Sequence, residues 1–219
     1  MAYELVIFDF DGTLADTRAW FVATTNKAAI RFGFRQLSDD EFEGLRSKGN
    51  REIIAHMGVP FWKLPMIAAF MRREAEAYIS DIRLFHGVED MLAEVRATGA
   101  KIAIVTSNRE RVVRGALGDN VDLIDHFACG AALFGKGRKF RQLLKTTSID
   151  PRRVLAVGDE ARDIEAARSA GVRAASVGWG LADPDFLKSL GPDLFFSEVA
   201  EITRTLVKTR GDYSAASAS

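Results

Sequence analysis

Short runs of consecutive apolar and β-branched residues recur along the chain, at intervals that leave room for a helix between them. A strand covered on both faces has this uninterrupted pattern, whereas a strand with one solvated face alternates apolar and polar residues. The runs therefore predict the parallel strands of an α/β protein. They span residues 3–10 (YELVIFDF), 101–107 (KIAIVTS), 153–159 (RVLAVGD) and 173–179 (RAASVGW).

Amphipathic stretches between these runs have the periodicity of helices, and several are followed by a glycine that can end a helix. Alternating strands and helices predict a doubly wound, Rossmann-like parallel sheet, whose ligands bind beyond the carboxyl ends of the strands. The predicted helices of this core span residues 88–98, 109–117, 139–146 and 164–170.

One long segment interrupts the alternation, since no strand is predicted between residues 16 and 84. Helical periodicity runs through it instead, and the last of its helices carries an apolar stripe that is expected to pack between helices. The stripe consists of Ile67, Phe70, Met71, Ala75 and Tyr78. The helices predicted in this segment span residues 17–32, 38–46, 50–57 and 62–79.

These patterns predict two structural units and a tail. Residues 1–15 and 85–209 are expected to form an α/β catalytic core, and residues 16–84 an inserted all-helical cap. The last ten positions, 210–219, are small and polar, and we expect them to be disordered.

Charge and composition exclude several classes of partner. Thirty basic residues balance thirty acidic residues in a chain of 219, so no net charge favours nucleic acid or an anionic membrane surface. The single cysteine, Cys129, cannot form an internal disulfide, and no run reaches the ~18 apolar residues that span a bilayer. A predicted strand follows Met1 almost at once, so we expect no signal peptide. We therefore expect a cytoplasmic protein, a monomer or homodimer, that acts on a small molecule.

Carboxylates follow two of the predicted strands at the edge where ligands are expected. Asp9 and Asp11 end the first strand, and residues two apart on a strand point the same way, so both carboxylates approach the same space. Two crowded carboxylates repel one another unless a cation lies between them or one is protonated. Asp159, Glu160 and Asp163 follow the third strand, although the last two would by themselves also fit first-turn acids of a helix.

Hydroxyl and amide groups follow the second strand. Thr106, Ser107 and Asn108 are suited to holding phosphoryl oxygens, although Thr106 alone would also fit a turn. Acids, a hydroxyl and a lysine at neighbouring strand ends supply a seat for a hard cation, a nucleophile and a counter-charge. These are the parts that phosphoryl transfer through an aspartate needs.

The candidate lysine lies in the stretch GAALFGKG, residues 130–137. Gly130, Gly135 and Lys136 match the first part of a phosphate-binding P-loop, but Gly137 stands where a Ser or Thr hydroxyl binds Mg²⁺. From the residues alone, Lys136 is a nucleotide-binding lysine, a lysine of another phosphate site or a surface lysine.

The motifs DFDGTLADT, IVTSN and GDEARD occur in that order, with Lys136 before the third and a helical insertion after the first. Together they resemble the haloacid dehalogenase superfamily, specifically its phosphoglycolate-phosphatase-like members, over nearly the whole chain. The resemblance implies a phosphatase that hydrolyses a small phosphorylated metabolite, phosphoglycolate or similar to a sugar phosphate, and that uses Mg²⁺.

The same resemblance implies a role for each matching residue. Asp9 would be the nucleophile that becomes aspartyl phosphate, and Asp11 would protonate the leaving oxygen and then activate water. Thr106 would hydrogen-bond the phosphoryl group and Lys136 would neutralise its charge. The resemblance therefore favours Lys136 as the lysine of a phosphate site other than a P-loop. Lys139, three residues further on, is the alternative site lysine.

For the metal, the resemblance implies that Mg²⁺ is bound by the side chains of Asp9 and Asp159 and by the backbone carbonyl of Asp11. Asp163 would support the site from nearby. The remaining residues predicted to contact the phosphoryl group are Gly12, Ser107 and Asn108.

A basic stretch in the helical insertion, RSKGNR, contains Arg46, Lys48 and Arg51. Members of the family close such caps over the substrate, so these residues are candidates for holding a second anionic group. A solvated surface with no such role explains them equally well.

Four other functions share part of this pattern. A phosphomutase would use the same acids but return the phosphoryl group to a sugar. A response-regulator receiver shares the aspartates, hydroxyl and lysine, but the order of motifs and the long cap argue against it. A non-catalytic phospho-ligand sensor is disfavoured because no catalytic position is missing. Dehalogenation is disfavoured by Asp11, since a halide leaves without a proton.

Overall fold

A computed structural model describes the backbone of residues 2–130 and 135–216, and their side chains as far as residue 207. The described residues form eight strands: β1 (Leu5–Phe8), β2 (Ala15–Asp16), β3 (Arg83–Leu84), β4 (Lys101–Val105), β5 (His126–Ala128), β6 (Val154–Gly158), β7 (Arg173–Val177) and β8 (Leu194–Phe196). Six of them make one parallel sheet in the order β5-β4-β1-β6-β7-β8. The predicted fold class, an α/β protein with a Rossmann-like parallel core, is confirmed.

The helices, in chain order, are α1 (Arg18–Phe32), α2 (Asp39–Leu45), α3 (Asn50–His56), α4 (Leu64–Ala77), α5 (Val88–Ala97), α6 (Glu110–Leu117), α7 (Lys136–Thr147), α8 (Ala161–Ser169), α9 (Pro184–Ser189) and α10 (Val199–Ala216). Apolar residues of α5, α6 and α10 pack on one face of the sheet, and those of α7, α8 and α9 pack on the other. Helices on both faces explain why the central strands are apolar without interruption.

The first strand occupies the middle of the sheet, where β1 pairs with both β4 and β6. All four of its side chains are fully buried. Val6 and Phe8 belong to the apolar cluster on one face, and Leu5 and Ile7 to the cluster on the other. The carboxyl ends of β1, β4 and β6 therefore lie side by side, which brings their following residues together.

Four short strands were not predicted. β5 and β8 have three residues each and form the two edges of the sheet, where apolar runs are short and only partly buried. β2 and β3 pair antiparallel over two residues each, so the expectation of no strand between residues 16 and 84 is wrong at both ends. Pairings this short leave no periodic signal in the sequence.

The segment between β2 and β3 is helical, as expected, with α1 to α4 close to their predicted positions. Ser38 and Glu41 form a capping box at the start of α2. A short 3₁₀ turn, Phe61–Lys63, precedes α4, and Pro65 lies in its first turn, so that helix begins later than predicted. Leu37, Leu45 and Met57 form a small apolar cluster within the segment.

Two further findings concern the helices. α10 continues as a helical backbone to Ala216, whereas the sequence predicts a disordered tail from residue 210; residues 217–219 lie outside the described part. No single helix among the described residues is long and apolar enough to cross a membrane. Asn50–His56 and Phe61–Ala77 together reach the required length and apolar composition, but the two segments are bent by 108° relative to one another.

Candidate active site

The carboxylate of Asp9 lies directly beyond β1, at the carboxyl edge of the sheet. Its backbone N–H donates to Val157 O (2.9 Å), which continues the strand pairing by one residue, and Phe10 N–H donates to Asp9 Oδ1 (2.7 Å). The side chain is 4% exposed. Burial raises the pKa of Asp9 to about 7, although the positive charge of Lys136 opposes the shift.

Lys136 supplies the counter-charge. Its Nζ lies 2.5 Å from Asp9 Oδ2 and 2.5 Å from Asp163 Oδ1, and all three side chains are buried. Burial by itself would lower the pKa of Lys136, but the carboxylates of Asp163 and Asp9 outweigh that effect and raise it. The ammonium group is therefore held in its charged form between two carboxylates.

The structure distinguishes Lys136 from the alternative, Lys139. Helix α7 begins at Lys136, three residues before the predicted start, and this places Lys136 at the sheet edge. Lys139 lines a separate cavity of about 380 Å³ with Glu110 and Arg114. Residues 131–134 of the P-loop-like stretch lie outside the described part of the chain.

Asp159 follows β6 and is fully buried. Thr13 Oγ1 donates to its Oδ1 (3.1 Å), and Leu181 N–H donates to its Oδ2 (2.7 Å). Burial, with the negative charges of Glu160 and Asp9, raises the pKa of Asp159 well above its ordinary value.

Two glycines allow the chain to approach this carboxylate. A Cβ at Gly12 would overlap the Asp159 carboxylate, and Gly12 also has a φ of +70°, a conformation that side chains disfavour. A Cβ at Gly180 would overlap the same side chain. The glycine predicted to contact the phosphoryl group therefore also makes room for Asp159.

Carboxylate oxygens of Asp9, Asp159 and Asp163 lie within 4.8 Å of one another. Three buried acids around one ammonium leave excess negative charge, and oxygen donors are what Mg²⁺ prefers. The residues therefore fit a divalent cation. Each of the three carboxylates has a protein partner on both oxygens; for Asp163 these are Lys136 on Oδ1 and the Glu160 N–H on Oδ2 (3.1 Å).

Asp11 is half-buried and borders a large cavity, described below. Asn108 Nδ2 donates to its Oδ2 (2.8 Å). Burial raises the pKa of Asp11, against the opposing effects of the Thr17 hydroxyl and the Asn108 amide. A raised pKa suits a carboxyl group that must carry a proton at neutral pH.

The residues after β4 occupy the same edge. Thr106 is fully buried, and its Oγ1 accepts a hydrogen bond from Asn108 N–H (3.1 Å). Ser107 and Asn108 line the cavity beside Asp11. The structure thus brings the predicted residues that follow β1, β4 and β6 to one edge of the sheet, where Lys136 at the start of α7 meets them.

The basic residues of the helical segment differ in their surroundings. Arg46 Nε donates to Leu181 O (2.9 Å), and its Nη2 contacts the carbonyls of Gly180 and Ala182 at 3.3 and 3.4 Å. Its guanidinium group is thereby occupied by the loop that also holds Asp159. Lys48 and Arg51 are exposed and line the cavity, and Lys48 Nζ lies 3.7 Å from Glu52.

Sequence reasoning missed a buried cluster at the start of α8. Arg162 pairs with Glu160, and Asn50 Nδ2 from α3 donates to the same carboxylate (3.3 Å). Burial alone would lower the pKa of Arg162, but the carboxylates of Glu160 and Asp163 outweigh it and raise it. Arg162 lines the cavity. The sequence feature that could have indicated this cluster is the single arginine inside the acidic motif GDEARD.

Thr13 was also not assigned a role in the site. Thr13 lies in the DGT turn, of which only Asp11 and Gly12 were predicted to belong to the site. Its hydroxyl donates a hydrogen bond to Asp159, as described above. Trp179 Nε1 donates to Thr13 O (3.1 Å), and its ring packs edge-on against Phe85. These contacts join residues about 94 to 166 positions apart, which no local sequence pattern indicates.

Comparison with known proteins gives the class. The model of the family described as "Haloacid dehalogenase-like hydrolase" matches residues 6–177. Phosphoglycolate phosphatase of Synechococcus elongatus is 30% identical over 207 residues, covering 94% of this chain and 98% of that protein. N-acetylmuramic acid 6-phosphate phosphatase of Pseudomonas putida is 28% identical over 217 residues, covering 94% and 97%.

Among solved structures, a predicted phosphatase from Clostridium acetobutylicum superposes with a TM-score of 0.79 at 17% identity, covering 95% of this chain and 100% of that one. At that identity the likeness shows the fold alone. The family match and the curated relatives go further, and the chain belongs to the haloacid dehalogenase-like hydrolase family. Within it the chain falls in the phosphoglycolate-phosphatase-like subgroup, as a phosphoric monoester hydrolase.

Proposed function

We propose that this protein is a Mg²⁺-dependent phosphatase that works through an aspartyl phosphate on Asp9. The observation that carries the proposal is the environment of this carboxylate. It is buried beside the ammonium group of Lys136, within reach of Asp159, and two residues before a second carboxyl group that borders an open cavity.

In the first step, an oxygen of Asp9 attacks phosphorus and the bond from phosphorus to the leaving oxygen breaks. Asp11 donates its proton to that oxygen, so the leaving group departs as an alcohol. Lys136 stays charged beside the phosphoryl group, to which Thr106 and Asn108 would donate hydrogen bonds.

In the second step, Asp11, now a carboxylate, removes a proton from water, and the resulting oxygen attacks phosphorus. The bond from phosphorus to Asp9 breaks, which releases inorganic phosphate and restores both carboxyl groups. Asn108 holds the Asp11 carboxylate in place through both steps.

Mg²⁺ would be held by Asp9, Asp159 and the backbone carbonyl of Asp11, where its charge would offset that of the phosphoryl oxygens. We assign Asp163 to the positioning of Lys136, because its Oδ1 lies 2.5 Å from the ammonium nitrogen and its Oδ2 is held by the Glu160 N–H. Thr13 and Leu181 would orient Asp159 toward the metal.

For the substrate, the relatives named above act on phosphoglycolate and on N-acetylmuramic acid 6-phosphate, and we propose a small phosphorylated metabolite of this general kind. Residues 16–84 would act as the cap that closes over it. Lys48 and Arg51 are the candidates for a second anionic group. We place the enzyme in the cytoplasm, as a monomer or homodimer.

A screen of phosphorylated metabolites for released phosphate, run with Mg²⁺ and with excess EDTA, tests the proposal. We expect hydrolysis with Mg²⁺ and its loss in EDTA, restored by added metal. Full activity in EDTA would contradict the metal dependence. Transfer of the phosphoryl group to a second hydroxyl without release would instead indicate a phosphomutase.

A further inference from the structure

A cavity of about 920 Å³ opens from the candidate active site into the helical segment. Its polar end is formed by core residues, among them Asp11, Asn108 and Arg162. The rest of its wall comes mainly from α1 to α4 and is largely apolar. The principal apolar residues are Phe21, Phe42, Ile53, Ile54, Ile67 and Met71.

These apolar side chains surround a space and do not fill it. All six are only half-buried, whereas protein interiors are normally packed without voids of this size. The apolar stripe on α4 contains both residues that pack against other side chains and residues that line the cavity. Ala75 is buried and Tyr78 stacks on Trp20, as packing residues should, but Ile67 and Met71 line the cavity.

The volume is also large for a small polar substrate. Cavities of roughly 300–1,000 Å³ enclose ligands of drug size, bound mostly through apolar walls with a few polar groups that fix orientation. A two-carbon phosphate monoester would occupy only the polar end. The apolar walls would then remain in contact with water, which is unfavourable.

This inference rests on the phosphatase function proposed above but departs from a two-carbon substrate: we propose that the substrate's leaving group carries an extended apolar part, an alkyl or acyl chain or an aromatic ring, that fills this cavity. The occupant is assigned to the substrate because the cavity is continuous with Asp11 and Asn108. A phosphoryl group at Asp9 thereby directs its leaving group toward the helical segment. The enzyme then selects phosphate monoesters by the length of their apolar part.

Binding of n-alkylphosphonates, from ethyl to octyl, tests the inference by calorimetry with the wild-type protein and Mg²⁺. A phosphonate cannot be hydrolysed at its carbon–phosphorus bond by the proposed route, so binding is measured without turnover. We expect Kd to fall about two- to fourfold per added methylene, as each is removed from water. A Kd independent of chain length would overturn the inference.

A matched pair of variants locates the effect. Ala68 is half-buried on the cavity wall, and Ala69 follows it on α4 but is exposed. Ala68→Phe should place a ring in the cavity and abolish the gain in affinity from the longer chains, whereas Ala69→Phe should retain it. Equal dependence on chain length in both variants would place the apolar site elsewhere and contradict the inference.

The phosphate-release screen separates this inference from the proposed function. Chain-dependent phosphonate binding without hydrolysis of any ester would refute the phosphatase mechanism and leave the apolar cavity supported. Hydrolysis of short and long esters with equal kcat/KM, together with flat binding, would retain the phosphatase and refute the apolar substrate.

Discussion

The ammonium nitrogen of Lys136 lies 2.5 Å from Asp9 Oδ2, and both side chains are about 4% exposed. A buried carboxylate and a buried ammonium in contact stabilise one another's charged forms, and the positive charge is already in place when a phosphoryl group arrives. Asp163 holds the ammonium group from its other side. In the proposed mechanism, the pair therefore combines a nucleophile with the charge that attracts the phosphoryl group.

Replacement of this lysine should abolish most activity. We expect Lys136→Met to lower kcat/KM by at least about 10²-fold, because a positioned positive charge is lost in a buried site. Stability should also fall by about 3 kcal/mol, since Asp9 and Asp163 lose their partner. Lys139→Met is the control, and it should retain both activity and the melting temperature. Loss of activity in the Lys139 variant alone would reverse the assignment.

The guanidinium group of Arg46 contacts the loop carbonyls of Gly180, Leu181 and Ala182, and Leu181 N–H donates to Asp159. This contact links the helical segment to a predicted metal ligand. Arg46→Ala should therefore raise the Mg²⁺ concentration needed for half-maximal activity by about tenfold, in the range seen for residues that orient metal ligands. The measurement is a Mg²⁺ titration of initial rates.

Arg18→Ala provides the control for that titration. Arg18 and Arg46 both pair with Glu43, but of these two arginines only Arg46 donates hydrogen bonds to the loop. The Arg18 variant should need no more Mg²⁺ than the wild type. If Arg46→Ala instead raised KM only for doubly anionic substrates, at an unchanged Mg²⁺ requirement, Arg46 would be a substrate-binding residue after all.

Arg162 offers a half-buried positive charge at the polar end of the cavity. We expect Arg162→Gln to raise KM for phosphate monoesters by about tenfold or more, the value of a lost charge-assisted hydrogen bond, with a smaller change in kcat. Arg168→Gln, on the exposed side of the same helix, should leave KM unchanged. A fall in kcat at constant KM would exclude a role in binding.

Cys129 is half-buried, and burial raises the pKa of its thiol to about 11. The thiolate is the reactive form, so its fraction at pH 8 is roughly 10²-fold lower than in a free cysteine. We expect alkylation by iodoacetamide to be slow at pH 8 and to accelerate until the pH approaches 11. Reaction at the rate of a free thiol at pH 8 would show that the side chain is exposed.

The core of this protein could be predicted because its signals are local. Uninterrupted apolar runs identified β1, β4, β6 and β7, and the residues that follow three of them meet at one edge because parallel strands end together. Strands of two or three residues, such as β2 and β8, carry too little periodicity to detect.

The surroundings of the site could not be predicted for a different reason. Nothing near Arg46 in the sequence indicates that its guanidinium group binds carbonyls about 135 residues away, and its basic neighbours suggested an anion site instead. The cavity within the helical segment could not be predicted from the sequence either. An apolar stripe has the same pattern whether it fills a core, as Ala75 does, or borders a space, as Ile67 does.

The central claim, a phosphoryl group carried by Asp9 with Asp11 as acid and base, is tested most directly with Asp11→Asn. An alkyl phosphate needs its leaving oxygen protonated, so phosphorylation of Asp9 by such esters should slow by roughly 10²- to 10⁴-fold. Nitrophenolate leaves without a proton, so the first step with p-nitrophenyl phosphate should slow much less. The second step still lacks its base, and the phosphoenzyme should accumulate.

Rapid mixing of Asp11→Asn with p-nitrophenyl phosphate, followed by mass spectrometry, is the decisive measurement. We predict a nitrophenolate burst approaching one equivalent per enzyme, a slow steady state, and an added phosphate on Asp9. Asp9→Asn, mixed in the same way, should give no burst and no modification. Absence of a burst in Asp11→Asn, with equal slowing toward alkyl and nitrophenyl esters, would contradict the roles assigned to both aspartates.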